Sequence, residues 1–453
     1  MNRKFRGNAD IAPGNYNRRI NMIVSFSGGK HISGYKHLTQ DLPVVTMAAP
    51  AEVIIPLSQH TGAVCEALVK KGDKVKVGTK IGASDKLISS AVHSSVSGEV
   101  KAVTGYNHPV LGTSLAVIIT SDQKDELDAA IKQRKSVDLL NKDELLKIIK
   151  EAGIVGLGGA AFPAHVKLAP PKEINTLLIN AAECEPYLTC DYRIMMESPN
   201  EILKGILLLQ KILRVKNVVV GVEDDKPEAI SMLRNKIVAK SYSIKVQPLK
   251  TKYPQGAEKQ LIKAILRREV PAGKLPFEVG AVVSNVATAL AVYEAVYLGK
   301  PLYERVVTVT GKSLKSPANL KVRIGTKFSE LIDFCQGTST PAAKVIMGGP
   351  MMGLAQFSMD MPVIKGTSGV LLLSENEAPD YKEGPCIRCA KCVDICPVGM
   401  LPFALSMCAE SKRLDAASQY NPRDCIECGA CTYICPARRR ILESIRLIKA
   451  VIT

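Results

Sequence analysis

Eight cysteines near the end of the chain stand in two copies of one spacing. The first copy is Cys386, Cys389, Cys392 and Cys396, followed by Pro397; the second is Cys425, Cys428, Cys431 and Cys435, followed by Pro436. Each reads C-x2-C-x2-C-x3-C-P. Thiolates three residues apart on a tight loop converge on one small metal–sulfur cube. The fourth cysteine is expected to open a helix that carries it toward the second cube, with the proline in the first turn, where its missing N–H costs little. Structural zinc takes its ligands as two separated pairs, and disulfides belong to small secreted domains, so neither suits a double run. The chemistry this points to is single-electron transfer. Cys65, Cys184, Cys190, Cys335 and Cys408 are scattered and read as small buried apolar residues.

The double run resembles that of bacterial ferredoxins, where three cysteines of one run hold a 4Fe–4S cluster and the fourth ligates the other cluster. The resemblance implies one cluster on Cys386, Cys389, Cys392 and Cys435, and a second on Cys425, Cys428, Cys431 and Cys396.

A second constellation lies upstream. The segment Gly153-Ile154-Val155-Gly156-Leu157-Gly158-Gly159-Ala160-Ala161-Phe162-Pro163 is rich in glycine, which lets backbone N–H groups approach a phosphate or a planar ring. Lys167 follows it. Asn180-Ala181-Ala182-Glu183-Cys184-Glu185 comes after an apolar strand, Tyr253-Pro254-Gln255-Gly256-Ala257-Glu258 lies further on, and Ser284-Asn285-Val286-Ala287-Thr288 sits where a strand gives way to a helix. Loops after strands are where open α/β sheets bind ligands. Lysine and a helix N-terminus suit phosphate; Asn and Glu suit ribityl hydroxyls or a flavin edge; Phe and Tyr suit stacking.

These four segments resemble the flavin- and NADH-binding subunit of respiratory complex I, with its "GRGGAGFPTG.KW", "NADESEPG", "Y..GEE..L" and "NNVET" motifs. The resemblance implies FMN contacts at Gly156, Gly158, Gly159, Lys167, Asn180, Glu183, Tyr253, Gly256, Asn285 and Thr288, and NAD(H) contacts at Phe162, Glu185 and Glu258. Ala161 stands where that family has glycine, Ala182 where it has aspartate, and Ala257 where it has glutamate. That subunit also ends in a single four-cysteine site. Over about residues 25–440 the order of "F.GG.H", "IPLSQHTGAVCEALVKKGDKVKVG", "VGLGGAAFPAHVKL", "NAAECEPYLTCDYRIM", "KYPQGAEKQLI", "MGGPMMG" and two ferredoxin runs resembles the C subunits of the Rnf ion-translocating ferredoxin:NAD+ oxidoreductases. A cobalamin-reductase-like flavoprotein shares the flavin and iron–sulfur parts but does not begin with the same first domain. An adaptor carrying clusters without flavin is the reading from another class.

What the Rnf resemblance implies is an NAD-dependent oxidoreductase subunit with two 4Fe–4S clusters, FMN and NAD(H). FMN is the reactive group and no side chain is catalytic. Partners would be the integral-membrane and iron–sulfur subunits of the same complex, and an electron-carrier ferredoxin indirectly. The place would be the cytoplasmic face of the membrane, held peripherally.

The elements that must position these residues read as an α/β multidomain chain. Residues 1–24 form a basic tail, with Met22 as an alternative start; 25–123 form a barrel-sandwich, lipoyl-like β domain; 124–300 form a Rossmann-like α/β domain led by a linker helix; 301–373 form a β-grasp, soluble-ligand-binding domain; 374–453 form the ferredoxin-like domain. Lys86 lies near the hairpin tip where a lipoyl carrier has its lysine, but the register to Gly98 is not kept, and the domain reads as structural. Ile441, Ile445, Ile448 and Ile452 recur at helical spacing, for packing on the same domain or for a membrane or partner contact. No stretch reaches the roughly 18 apolar residues of a membrane span. The formal charge of +17 suits anionic partners, yet the chain has no tryptophan and no nucleic-acid module, so nucleic acid is not expected. His31, His60 and His165 read as structural.

Overall fold

The computed structural model of the protein describes residues 22–379 and 381–452; the tail expected over 1–24 lies outside them up to residue 21. In the first unit a four-stranded sheet runs Glu52–Pro56, Gly112–Ser121, Gly98–His108, Lys74–Val75, and faces a three-stranded sheet of Glu66–Ala67, Lys80–Ala83 and Val92–His93. Alternation along these strands sends Val53, Ile55, Val75, Ile81, Val92, Val100, Val117 and Ile119 into one core. Lys86 is exposed and followed by Leu87 and Ile88, whose carbonyls meet His165 and the Ala63 amide, so this segment folds back onto the protein.

The central unit is led by the helix Lys142–Glu151. Asn141 and Glu144 form a reciprocal capping box at its start, and Leu145 and Ile149 are buried. Four parallel strands follow in the spatial order Lys245–Leu249, Asn217–Glu223, Thr176–Ala181, Ala281–Asn285. The chain order is therefore three-two-one-four. The strands are apolar on both faces because helices cover both sides: Pro199–Leu213 packs on Val286–Leu298, with Pro227–Ala239 and Glu258–Leu266 completing the layers. The order reverses between Thr176–Ala181 and Ala281–Asn285, which opens a crevice beyond their C-terminal ends.

A six-stranded mixed sheet forms the third unit, in the order Val44–Thr46, Ala318–Arg323, Glu304–Thr310, Gly369–Ser374, Ala342–Met347, Leu354–Gln356, with the helix Phe328–Phe334 against it. Its edge strand comes from the segment the sequence places in the first unit. Val44–Thr46 pairs in parallel with Asn319–Lys321, a partner so distant in the chain that no local pattern announces it.

In the last unit the helices Pro402–Glu410 and Ile441–Val451 pack together, and Ile441, Ile445 and Ile448 are buried in that contact. The C-terminal apolar face is thus used within its own domain. The fourth cysteine does not open a helix as expected; the helices that follow, Pro402–Glu410 and Ile441–Val451, begin six residues beyond it. Short helices, Lys391–Asp394 and Ala430–Ile434, instead contain the third cysteine and end before the fourth. The x2 spacers dictate this: Arg388 and Ala390 in the first run, and Glu427 and Gly429 in the second, hold left-handed backbone at equivalent positions. They curl the loop so tightly that helix begins at once. Among the described residues no helix is long and apolar enough to cross a membrane.

Candidate functional site

The crevice at the strand reversal collects the glycine-rich loop and the strand-end residues. Asn180 and Asn285 are register partners on the two strands that flank it. Asn285 caps the helix Val286–Leu298, accepting from the Ala287 amide at 2.8 Å, while its Nδ2 donates to Asp191 at 2.6 Å. Asn180 donates to the Gly256 carbonyl at 2.7 Å. Gly158 lies against Asn285, and the Gly156 amide donates to the Phe162 carbonyl at 2.9 Å, closing the loop on itself. Thr288 is buried and its hydroxyl accepts from the Leu157 amide at 2.9 Å, so it acts through the loop. Gly158, Gly159 and Ala160 are exposed, and a Cβ on Gly159 would meet nothing within 4 Å. An open, side-chain-free cradle above the sheet end is what a flat ring or a phosphate requires.

Lys167 and Glu258, expected on phosphate and nucleotide, pair with each other at 2.6 Å at the rim, each about one-third exposed. Glu183 accepts from the amides of Asp191 at 2.7 Å and Tyr192 at 3.3 Å. Glu185 accepts from the amides of Met351 at 3.1 Å and Met352 at 2.9 Å, which ties the crevice to the "MGGPMMG" turn of the six-stranded unit. Burial pushes the carboxyls of Glu183 and Glu185 up to about 7; Lys36 opposes the shift in both, and Asp191 adds to it at Glu183. At these two groups the folded state therefore binds more protons than the unfolded one between the ordinary carboxylate range and about pH 7, and their contribution to stability falls as pH rises through that window, while His60, His93, His108 and His165, lowered by burial, contribute in the opposite sense. The slope per group is at most about 1.4 kcal/mol per pH unit. The Glu185 share is isolated by comparison: the unfolding midpoint of wild type minus that of Glu185→Gln is expected to fall from pH 5.5 to 7.5. An equal slope in the variant would exclude Glu185 as a source.

Tyr253, expected on FMN, also reaches another unit. Its ring is buried and its hydroxyl donates at 2.6 Å to the Cys428 carbonyl, in the ferredoxin-like unit. Its main chain bridges Lys30 in both directions, and the Gly29 amide donates to the Ile395 carbonyl at 2.8 Å. Tyr253, Ile395, Cys428 and Ala430 form one apolar cluster with Cys184 and Met351 at its edge. The crevice and the second cysteine run are therefore neighbours across a buried apolar contact.

Cys396, Cys425, Cys428 and Cys431 line one cavity, walled by Met400, Ile426, Leu442 and Ile445. Burial raises the thiols of Cys428 to about 11 and Cys431 to about 12, and the neighbouring cysteines push in the same direction. Four cysteine sulfurs gathered in one apolar-walled cavity are a donor set for a metal centre, whose positive charge would hold them as thiolates. The Met400 amide donates to Cys396 and the Glu427 amide to Cys425, both at 3.4 Å, as sulfur ligands of a cluster require. Burial raises the Cys392 thiol, and Cys435 and Cys386 push it in the same direction; Cys389 is exposed.

Several residues that shape the crevice carry no signal in the sequence. Lys36 donates to the carbonyls of Glu183 and Leu188 at 2.7 Å and of Glu185 at 3.1 Å, fixing that turn from a segment about 150 residues away. Arg305, Lys365 and Thr61 reach the glycine-rich loop from the other units. Asp191 alone has a local mark, eight residues past Glu183 at a helix start.

Four family models match the chain: the RnfC barrel sandwich hybrid domain over 24–124, the Nuo51 FMN-binding domain over 149–294, the SLBB domain over 306–355 and the 4Fe-4S dicluster domain over 385–438. The chain is 46% identical to the C subunit of the proton-translocating ferredoxin:NAD(+) oxidoreductase complex of Clostridium ljungdahlii, covering 95% of this chain and 94% of that one. It is 44% identical to the Na(+)-translocating counterpart of Acetobacterium woodii, covering 94% and 96%. The C subunit of the ion-translocating oxidoreductase complex of Rhodobacter capsulatus is 41% identical over 88% of this chain and 78% of its own. An NAD+-reducing NiFe hydrogenase in the H2-reduced state is similar in structure, with a TM-score of 0.50 over 67% of this chain and 62% of that one at 16% identity, a likeness of fold alone. With such identity along nearly the whole of both chains, the protein belongs to the family of C subunits of ion-translocating ferredoxin:NAD+ oxidoreductase complexes.

Proposed function

We propose that this chain passes electrons between NAD(H) and two 4Fe–4S clusters by way of FMN held in the crevice at the strand reversal. The observation that carries the reading is the continuity of the path: the glycine-rich loop lies against the strand-end Asn285, its register partner Asn180 holds Gly256, and nearby Tyr253 is bonded to Cys428 in a buried apolar cluster. FMN exchanges two electrons with a nicotinamide and one at a time with a cluster, which is the conversion such a chain needs.

The residues supply placement and exclusion of water. Gly156, Gly158 and Gly159 offer backbone without side chains; Thr288 holds the loop and Asn285 lies against it, while Asn180 holds the Gly256 carbonyl; Lys167 and Glu258 stand at the rim, where an anionic ligand would exchange partners with their ion pair. Glu183 would face the flavin, and Phe162, Glu185 and Glu258 the nicotinamide nucleotide. Cys396, Cys425, Cys428 and Cys431 would hold the cluster nearer the crevice; Cys386, Cys389, Cys392 and Cys435 would hold the outward one.

The three-two-one-four parallel order and the ligand crevice at its reversal support a Rossmann-like label for 124–300. The mixed sheet with one helix supports a β-grasp label for 301–373. The chain would sit peripherally at the cytoplasmic face of the membrane, docked on integral-membrane and iron–sulfur subunits of the same complex. Ion movement would belong to those partners.

Anaerobic titration with NADH of protein reconstituted with iron, sulfide and FMN tests this. The flavin and cluster absorbances are expected to bleach together, and both should survive desalting beforehand. Protein that binds FMN and clusters yet stays oxidised under NADH would sink the reading.

A further inference from the structure

The glycine-rich loop is gripped at both ends by units outside the α/β domain. We propose that Thr61 of the barrel-sandwich unit and Lys365 of the six-stranded unit are positioning residues for the bound flavin, acting through that loop. The inference rests on the FMN site proposed above.

At the near end, the Lys365 side chain is fully buried. Its ammonium donates at 2.6 Å to the Ala91 carbonyl and at 2.6 Å to the Gly153 carbonyl, joining three units at one atom. No carboxylate pairs with it among the described residues, and burial lowers its pKa to about 7, so near neutral pH it is only partly charged. A lone buried amine is costly, and an apolar side chain of equal volume would serve mere packing better. What the amine adds is directional: two hydrogen bonds that fix where the loop begins. Gly153 answers this closeness. Its φ is +68°, and a Cβ there would lie 2.2 Å from the Ala91 carbonyl oxygen and 2.7 Å from the ammonium. The main chain of Lys365 is held in turn by the Gln59 side chain at 3.0 Å and by Arg305, which also reaches the Leu157 carbonyl at 3.5 Å.

At the far end, the Thr61 hydroxyl donates at 2.6 Å to the Ala160 carbonyl, and its amide donates at 3.3 Å to the Ala161 carbonyl. Ala161 is held at φ +49°, a left-handed conformation that an alanine adopts only under constraint. Between the two grips Gly158, Gly159 and Ala160 stay exposed. Ends fixed from behind and a middle left open are what a preorganised cofactor loop needs. On this account the barrel-sandwich unit is the back wall of the flavin site.

The test uses the reconstituted holoprotein with FMN as the probe. Thr61→Val is expected to weaken FMN binding roughly tenfold, the worth of one hydrogen bond, and Thr61→Ser to restore it to within about twofold. Thr61 is exposed, so neither change threatens the fold. Lys365→Met keeps the volume and removes both hydrogen bonds at the start of the loop; FMN binding is expected to weaken roughly tenfold. Equal FMN affinity in T61V, T61S, K365M and wild type would overturn the inference. If K365M does not fold, the threonine pair alone decides. Wild-type protein that binds no FMN would overturn the cofactor assignment itself, a distinguishable failure.

Discussion

Replacing Cys396 with alanine is expected to remove the cluster of the second run while leaving that of the first. Iron content should fall from about eight to about four atoms per chain. Sequence proximity argues the opposite, since Cys396 closes the first run. The structure puts its sulfur in the cavity lined by Cys425, Cys428 and Cys431, whereas the thiol of Cys392 senses Cys435 and Cys386. Cys396→Ala and Cys425→Ala should therefore share one phenotype, and Cys435→Ala and Cys389→Ala the other. The two phenotypes differ in consequence as well as in count. Tyr253 joins the crevice to the Cys428 carbonyl, so the cluster of the second run is the one expected to accept electrons first. After Cys396→Ala the surviving cluster should stay oxidised under NADH, although dithionite reduces it; after Cys389→Ala the surviving cluster should still respond to NADH. Paired iron assays and low-temperature EPR after each reductant read this out. If Cys396→Ala behaves like Cys389→Ala, the crossed arrangement is wrong.

How far the sequence could reach follows from the range of each interaction. The cysteine runs, the capped helix Lys142–Glu151, the apolar strands of the central sheet and the isoleucine stripe of Ile441–Val451 are encoded by spacing within a dozen residues, and all could be read. The side of the fourth cysteine on which the helix lies could not, because it depends on the left-handed turns at Arg388, Ala390, Glu427 and Gly429, three of which are residues that rarely adopt them. The strand Val44–Thr46 finds its partner across the chain, and its half-exposed side chains carry no alternation. Lys36, Arg305 and Lys365 were invisible for a related reason. A lysine or arginine in sequence reads as solvated, and only the fold reveals that carbonyls from other units await it. The glycine-rich loop was legible as a site; what holds it was not. Tyr253 is the mixed case: its segment was picked out for the flavin, and its hydroxyl serves the junction with the clusters.

The N-terminal segment Phe26–Lys30 is the other place where a small change should have a large effect. Gly28 has φ +76° and a Cβ there would lie 2.7 Å from the Cys396 carbonyl oxygen; Gly29 has φ +69° and its Cβ would lie 2.6 Å from that of Tyr253. One glycine touches the ferredoxin-like unit and the next touches the crevice. Lys252 locks the segment, donating to the carbonyls of Phe26 at 2.5 Å and Gly28 at 2.8 Å, with its ammonium 3.9 Å from the Phe26 ring centre. A side chain at either position costs about 1–2 kcal/mol in backbone conformation alone. It must also push a carbonyl away, and the carbonyl belongs to the backbone of the cysteine run or of Tyr253, which cannot rotate aside. Gly28→Val is therefore expected to widen the gap between the two units while each keeps its own fold. In stopped-flow mixing with NADH, flavin reduction should proceed at the wild-type rate and cluster reduction should slow by roughly tenfold to a hundredfold, the scale of an ångström-sized misplacement. Gly28→Ala, with less to accommodate, should fall between. FMN and iron contents equal to wild type would show that the units are intact. If cluster reduction then keeps its wild-type rate, the segment is packing only, and electrons do not cross where Tyr253 meets Cys428.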